Sequence, residues 1–182
     1  QCLQDSMDLV SHYLGIRVAN DQYSSSSDTN STGNKMNRQS VFEQLQIDEG
    51  VVYEIYLDHL NYPTFGVGHL IKESDAEFGA PIGTKISEER VAEAFESDLD
   101  TAIDECVVLY GDGFSCWPDE VQQILVNMMF NLGRPRLSGF RKMKAALDKG
   151  DWETAADEGR DSRWYYQVGQ RSERLMKRLE NV

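Results

Sequence analysis

The chain has 182 residues, of which 40% are hydrophobic, and its 18 basic and 31 acidic side chains give a formal net charge of −13. This length and apolar content suffice for one domain, or for two small lobes, around a buried core. The acidity argues against nucleic acid as a partner, and no apolar run reaches the roughly 18 residues of a membrane span.

The first 35 residues differ in composition from the rest. Leu3, Met7, Val10 and Leu14 fall at helical spacing, which predicts a short amphipathic helix, and the Ser/Asn/Thr-rich run 24–34 predicts a linker. We therefore expect residues 1–35 to be a short helix plus a linker or connector, and residues 36–182 to form the functional domain. Because the chain begins with Gln, we expect a processed product or a piece of a longer protein.

A short helix is predicted next, with Glu49 at its end. Val41, Leu45 and Ile47 supply its apolar positions, and Gly50 is expected to stop it. A carboxylate at the C-terminal end of a helix faces the negative pole of the helix dipole, which disfavours its charged form. That setting suits a general acid.

A β-hairpin follows this helix. The run 51–57 is β-branched and aromatic, the pattern breaks at 58–61, and 62–67 resumes an extended pattern that ends at Gly68. Asp58 then stands at a strand end and Thr64 on the facing strand. We expect both side chains to converge with Glu49, and two carboxylates in unlike settings are the groups that glycoside hydrolysis uses.

The remaining pattern is helical. After a Gly/Pro loop at 76–85, Ser87 is predicted to cap the longest helix, with two glutamates in its first turn. Pro118 suits the start of a helix that is apolar nearly all round and ends at Gly133. Two further short helices are predicted at 140–147 and 151–158, with Trp152 and Trp164 as core anchors.

The spacings of cysteine and histidine do not suggest a metal site. The three cysteines form an odd set without a C-x-x-C pair, and the three histidines lack ligand spacing; these are Cys2, Cys106, Cys116, His12, His59 and His69. We expect no metal and no cofactor. Cys106 and Cys116 are expected to be reduced thiols, with a bridge between them as the alternative.

Several motifs in one order resemble a known family. D-E-G at 48–50, the turn at Asp58, Y-P-T-F-G-V-G-H-L at 62–70, N-M-M-F-N-L-G at 127–133 and S-R-W-Y at 162–165 together resemble the lysozymes of the T-even bacteriophages, glycoside hydrolase family 24. The resemblance covers about 36–179. It implies a mostly helical α+β fold with two lobes: a small β-hairpin lobe and a larger helical lobe, joined by a long helix, with the substrate cleft between them.

The resemblance also implies roles for the three candidate catalytic residues. Glu49 would protonate the leaving oxygen, and Asp58 would stabilise the oxocarbenium-like transition state. Asp58 and Thr64 together would position or activate the attacking water. Inversion of the anomeric centre is expected, which needs the two carboxyl groups about 6.5 to 9.5 Å apart.

Five further residues are expected to assist. Leu70 and Phe130 would contact the sugar chain, although Phe130 is equally well explained as core. Arg171 would hold Glu49 by a charge-assisted hydrogen bond. Asp98 would form a buried ion pair with His69, and a catalytic role for His69 is the alternative.

We therefore expect a muramidase that cleaves the β-1,4 bond between N-acetylmuramic acid and N-acetylglucosamine in bacterial peptidoglycan. It would act at the bacterial cell wall after release from the host cytoplasm at lysis, after secretion, or as part of a virion. A monomer is expected unless the chain belongs to a tail assembly. The alternatives are a lysozyme domain of a tail or baseplate puncturing protein, a non-catalytic peptidoglycan-binding module, and a lytic transglycosylase.

Overall fold

The computed structural model describes residues 36–182, so the helix and linker predicted for 1–35 lie outside the described residues. The described part combines seven α-helices with one small antiparallel sheet. The predicted class, a mostly helical α+β fold, is confirmed. None of the described helices is both long enough and apolar enough to cross a membrane.

The elements follow the predicted order along the chain. The helices are α1 (Arg38–Glu49), α2 (Glu88–Tyr110), α3 (Asp119–Leu137), α4 (Arg141–Leu147), α5 (Trp152–Arg160), α6 (Arg163–Val168) and α7 (Gln170–Glu180). The strands are β1 (Val52–Leu57), β2 (Pro63–Gly66) and β3 (His69–Leu70), and a 3₁₀ turn spans Asp112–Cys116.

The chain divides into two compact units. Among the described residues, the first unit comprises Leu45–Asp98, with the sheet and the start of α2. The second comprises 36–44 and Leu99–Val182, and it is entirely helical apart from its turns and loops. The candidate catalytic residues all belong to the first unit.

The sheet of the first unit has the order β1–β2–β3, and both strand pairs are antiparallel. Sequence analysis predicted only a hairpin of two strands, because β3 is two residues long and follows β2 after a turn at Gly68. One face of the sheet supplies Ile55, Phe65 and Ile71 to the core, where they cluster with Ile86, Val91 and Ala94. This packing fixes the sheet against the start of α2.

Gly66 allows that packing to be close. Its φ of +63° lies in the left-handed region that favours glycine. A Cβ added there would lie 3.2 Å from Cγ1 of Val91, closer than side-chain atoms usually approach. A larger residue would therefore strain the backbone and also push the sheet away from α2.

Helix α3 of the second unit is largely buried. Every side chain from 121 to 129 is buried, as the apolar pattern predicted. Gly133 interrupts the helix with a φ of 71° and a ψ of 159°, and 134–137 forms a separate final turn. The prediction that Gly133 ends the apolar helix is therefore confirmed.

Helix α2 begins as its sequence predicted. The backbone N–H of Arg90 donates to the Ser87 hydroxyl at 3.2 Å, so Ser87 satisfies an otherwise open donor of the first turn. Further along, Cys106 is buried and Cys116 exposed, and both are free thiols. Burial raises the pKa of Cys106 to about 12, which makes it an unreactive core residue.

Candidate active site

Glu49 is the last residue of α1 and is exposed to solvent. Gly50 follows with a φ of +76°, a conformation that ends the helix and turns the chain into β1. The carboxylate therefore occupies the predicted position, at the C-terminal pole of a helix. Its setting differs from that of Asp58, which belongs to a tight turn.

Asp58 lies directly after β1 and is held by the turn that joins β1 to β2. Its Oδ1 accepts hydrogen bonds from the backbone N–H groups of Leu60, at 2.8 Å, and Tyr62, at 2.9 Å. The Asp58 N–H also donates to the Tyr62 carbonyl at 3.0 Å. One carboxylate oxygen is thus fixed by the backbone, so the orientation of the other is fixed as well.

Thr64 lies on β2 and is only 3% exposed. Its hydroxyl donates to the carbonyl of Tyr62 at 3.0 Å. Because a hydroxyl has one proton and two lone pairs, Oγ1 of Thr64 can then only accept a hydrogen bond from a further group. A water molecule beside it would have to donate.

Three side chains form a row across the strands on the face of the sheet opposite the core cluster. Tyr56 on β1 pairs with Thr64, and Thr64 pairs with Leu70 on β3. Directly paired residues of antiparallel strands project from the same face. Small Thr64 therefore lies between two larger side chains, and Leu70 is 44% exposed.

Tyr56 is a further residue on the face of the sheet that carries Thr64. Burial raises the pKa of Tyr56, and the negative charges of Asp58 and then Glu49 raise it further. A phenol whose pKa is raised keeps its proton and can donate a hydrogen bond. Sequence analysis did not select Tyr56, because its position opposite Thr64 depends on the strand register.

His69 lies on the core face of the sheet, paired with Phe65, and the residue is 5% exposed. Its Nδ1 is 2.7 Å from Oδ2 of Asp98, the partner that the resemblance implied, and its Nε2 is 3.3 Å from Oδ2 of Asp75. Burial alone would lower the pKa of His69, but the hydrogen bond and charge of Asp98, and then those of Asp75, raise it above its ordinary value.

Asp75 extends this network to the loop after β3, and sequence analysis did not identify it. Its Oδ2 accepts from the Lys72 N–H at 2.7 Å, and Arg90 lies 3.5 Å from its Oδ1. Arg90 also makes a two-point ion pair with Glu77, at 2.8 and 3.0 Å. The loop is therefore held to β3 and to α2 by charged groups.

The two remaining site predictions lie in the second unit. Phe130 on α3 is half-buried. Arg171 on α7 is 8% exposed, and its guanidinium donates to the Asn127 side chain at 2.9 Å and to the Asn127 carbonyl at 3.2 Å. These contacts hold the Arg171 side chain of α7 against Asn127 of α3. Its role toward Glu49 stays a prediction.

Comparison with protein families gives a match to the phage lysozyme family over residues 46–181. The chain is also 28% identical over 159 residues to a probable T4-type lysozyme of Dictyostelium discoideum. That alignment covers 78% of this chain and 94% of the relative.

Two phage proteins are similar over part of their length. The pre-baseplate central spike protein Gp5 of Enterobacteria phage T4 is 29% identical over 153 residues, which are 75% of this chain and 27% of that protein. The peptidoglycan hydrolase gp36 of Pseudomonas phage phiKMV is 32% identical over 153 residues, 82% of this chain and 16% of that protein. The chain thus spans about a quarter or less of these two phage relatives.

Proposed function

Because the chain belongs to the phage lysozyme family, we propose that it hydrolyses the β-1,4 bond between N-acetylmuramic acid and N-acetylglucosamine in bacterial peptidoglycan. Glu49 is the general acid in this proposal. The observation that supports it is a pair of carboxylates in two different backbone settings. Glu49 ends α1, and Asp58, held by two backbone donors, follows the strand on which Tyr56 pairs with Thr64.

The chemistry follows from these settings. Glu49 donates its proton to the glycosidic oxygen as the bond from that oxygen to the anomeric carbon breaks. Asp58, oriented by its two backbone donors, stabilises the positive charge that develops on the sugar ring. The oxygen of a water molecule forms the new bond to the anomeric carbon, and the proton that this water loses passes to Asp58.

Thr64 and Asp58 hold that water in the proposed mechanism. The Thr64 hydroxyl already donates to the Tyr62 carbonyl, so its oxygen accepts one proton of the water. Asp58 accepts the other. Attack from the face opposite the leaving group inverts the anomeric centre, and NMR of the first product anomer tests this outcome.

The decisive experiment is Glu49→Gln, assayed by release of reducing sugar from purified peptidoglycan. Loss of the general acid should lower the rate at least about 100-fold. Glu43→Gln is the matched control, since Glu43 is an exposed carboxylate on the same helix and accepts a hydrogen bond from the Gln39 side chain. Near-full lysis by Glu49→Gln would overturn the mechanism.

The same assay separates the alternative activities. A module that only binds peptidoglycan would release no reducing sugar from it. A lytic transglycosylase would leave an anhydro sugar at the product end, and mass spectrometry would detect the missing water. Asp58→Asn is a weaker test, because an electrostatic role can be partly replaced.

A second candidate setting is a domain of a phage tail protein. It is favoured by the similarity to the T4 baseplate spike protein, of which the matched region is 27%. The chemistry would be unchanged, but the enzyme would act as part of the virion. Sequencing the reading frame on both sides of this chain tests this setting, since the matched region is only 27% of the spike protein.

A further inference from the structure

Tyr56 occupies a position that the mechanism above leaves without a role. It pairs directly with Thr64 across β1 and β2, and it precedes Asp58 by two residues. It is half-buried, and the Asp58 and Glu49 charges both act on its phenol. Tyr56 is thus paired with the residue assigned to water binding and lies on the strand that leads to Asp58.

The hydrogen bonds of the site leave the attacking water without a donor for one of its lone pairs. Asp58 as a carboxylate has only acceptors, and Thr64 has already given its proton to the Tyr62 carbonyl. A water that donates to both uses both of its protons. One of its lone pairs attacks the anomeric carbon, and the other can accept a hydrogen bond.

The candidate donor for that remaining lone pair is a neutral phenol. Burial and two neighbouring negative charges keep the proton on Tyr56, so its hydroxyl is able to donate. The side chain projects from the same face as Thr64 because the two residues are paired. Leu70, on the other side of Thr64 in the row, has no hydrogen-bonding group to offer.

We propose that Tyr56 is a further catalytic residue of this site: its hydroxyl donates a hydrogen bond to the attacking water. The same water donates hydrogen bonds to Thr64 and to Asp58. The inference rests on the proposed hydrolase function. With three partners around it, the water has only one lone pair left, and that lone pair points toward the substrate. Tyr56 thereby fixes the direction of attack without taking or giving a proton.

The test is a double-mutant cycle between Tyr56→Phe and Thr64→Val. Each substitution removes a hydroxyl and keeps most of the side-chain volume. We expect Tyr56→Phe to lower kcat about 10-fold, the value of one hydrogen bond, with KM within about twofold. The double variant should be little slower than Thr64→Val alone, because both hydroxyls hold the same water.

Tyr53→Phe is the matched control, because Tyr53 lies on the same strand and is 39% exposed. It should keep full activity. Unchanged kcat in Tyr56→Phe, or losses in the double variant that multiply, would overturn the role of Tyr56. If Glu49→Gln is inactive while Tyr56→Phe is fully active, only this inference fails. An active Glu49→Gln would instead remove the proposed function.

A second measurement does not depend on how the variants fold. In a crystal structure of the unsubstituted protein at about 1.2 Å, we expect an ordered water within about 2.6 to 3.2 Å of the Tyr56 hydroxyl, Thr64 Oγ1 and Asp58 Oδ2. A water bound to Thr64 and Asp58 that lies beyond the reach of Tyr56 would overturn the inference.

Discussion

The two faces of the small sheet carry different kinds of side chain, although their residues alternate along the same strands. On one face Ile55 and Phe65 pack into the core of the first unit. On the other, Tyr56 pairs with Thr64, whose hydroxyl donates to the Tyr62 carbonyl. Neighbours in the sequence thus belong to different environments, because successive side chains of a strand point in opposite directions.

The difference between the faces implies that stability and activity depend on different residues of the same strand. Phe65 is fully buried in the nonpolar cluster, and its ring also contacts His69 and Arg90, so its contribution is to the free energy of unfolding. Thr64 is also buried, but its hydroxyl donates to the Tyr62 carbonyl and it lies on the face that carries Tyr56. Substitutions at these adjacent positions should separate the two effects.

The largest expected effect on stability is that of Phe65→Ala. Phe65 is 0% exposed and lies in the core cluster with Ile55 and Val91. Truncation leaves a cavity, and we expect the free energy of unfolding in urea to fall by about 3 to 5 kcal/mol. Thr64→Val is the control, since it should lose activity with a much smaller loss of stability. A loss below about 1 kcal/mol for Phe65→Ala would contradict the assignment of this face to the core.

An intermediate effect on the free energy of unfolding is expected from the protonation of His69. Because its pKa in the folded chain is raised above the ordinary value of 6.5, its protonated form stabilises the fold fully below pH 6.5. That stabilisation should be lost as the pH rises through the raised pKa. The lowered pKa of Asp75 acts in the opposite direction, because its contribution is lost as the pH falls below its ordinary value of 3.8.

Urea unfolding at a series of pH values measures this dependence. The decrease in stability above pH 6.5 should be absent from His69→Asn, measured at the same pH values. His59→Asn is the matched control, since His59 is exposed in the turn between β1 and β2 and should leave the pH dependence unchanged. The assignment fails if His69→Asn shows the same decrease as the unsubstituted protein.

The smallest effect on stability should come from Leu70→Ala on the site face. Leu70 is 44% exposed, so we expect the free energy of unfolding to change by no more than about 0.5 kcal/mol. If Leu70 contacts the sugar chain, KM should rise about three- to tenfold, the loss of one apolar contact. Ile82→Ala, at a 53% exposed loop position, is the control and should leave KM unchanged. An unchanged KM in Leu70→Ala would remove Leu70 from the substrate-binding residues.

Much of this architecture could be predicted because local signals agree with the final fold. Gly50 and Gly133 both adopt positive φ values where the sequence predicted that a helix ends. Ser87 accepts from the first turn of α2, as its residue type indicated. The positions of Glu49 at a helix end and Asp58 at a strand end followed from the same signals.

The residues that sequence analysis missed depend on pairings between distant positions. The β1–β2 register shifts between Val52 and Tyr56, so counting from the turn alone does not establish that Tyr56 faces Thr64. Asp75 reaches His69 only because the loop folds back onto β3. The predictions for Phe130 and Arg171 rest on the family resemblance, since the sequence around each indicates only a helix.

The break in α3 at Gly133 has a consequence for local motion. The ladder of helical hydrogen bonds does not continue through this residue, so the final turn at 134–137 can fray independently of the buried segment before it. Amide protons of that turn can then exchange with solvent while those of 121–129 remain protected. The break at Gly133 thus lets the buried segment 121–129 stay helical when the final turn opens.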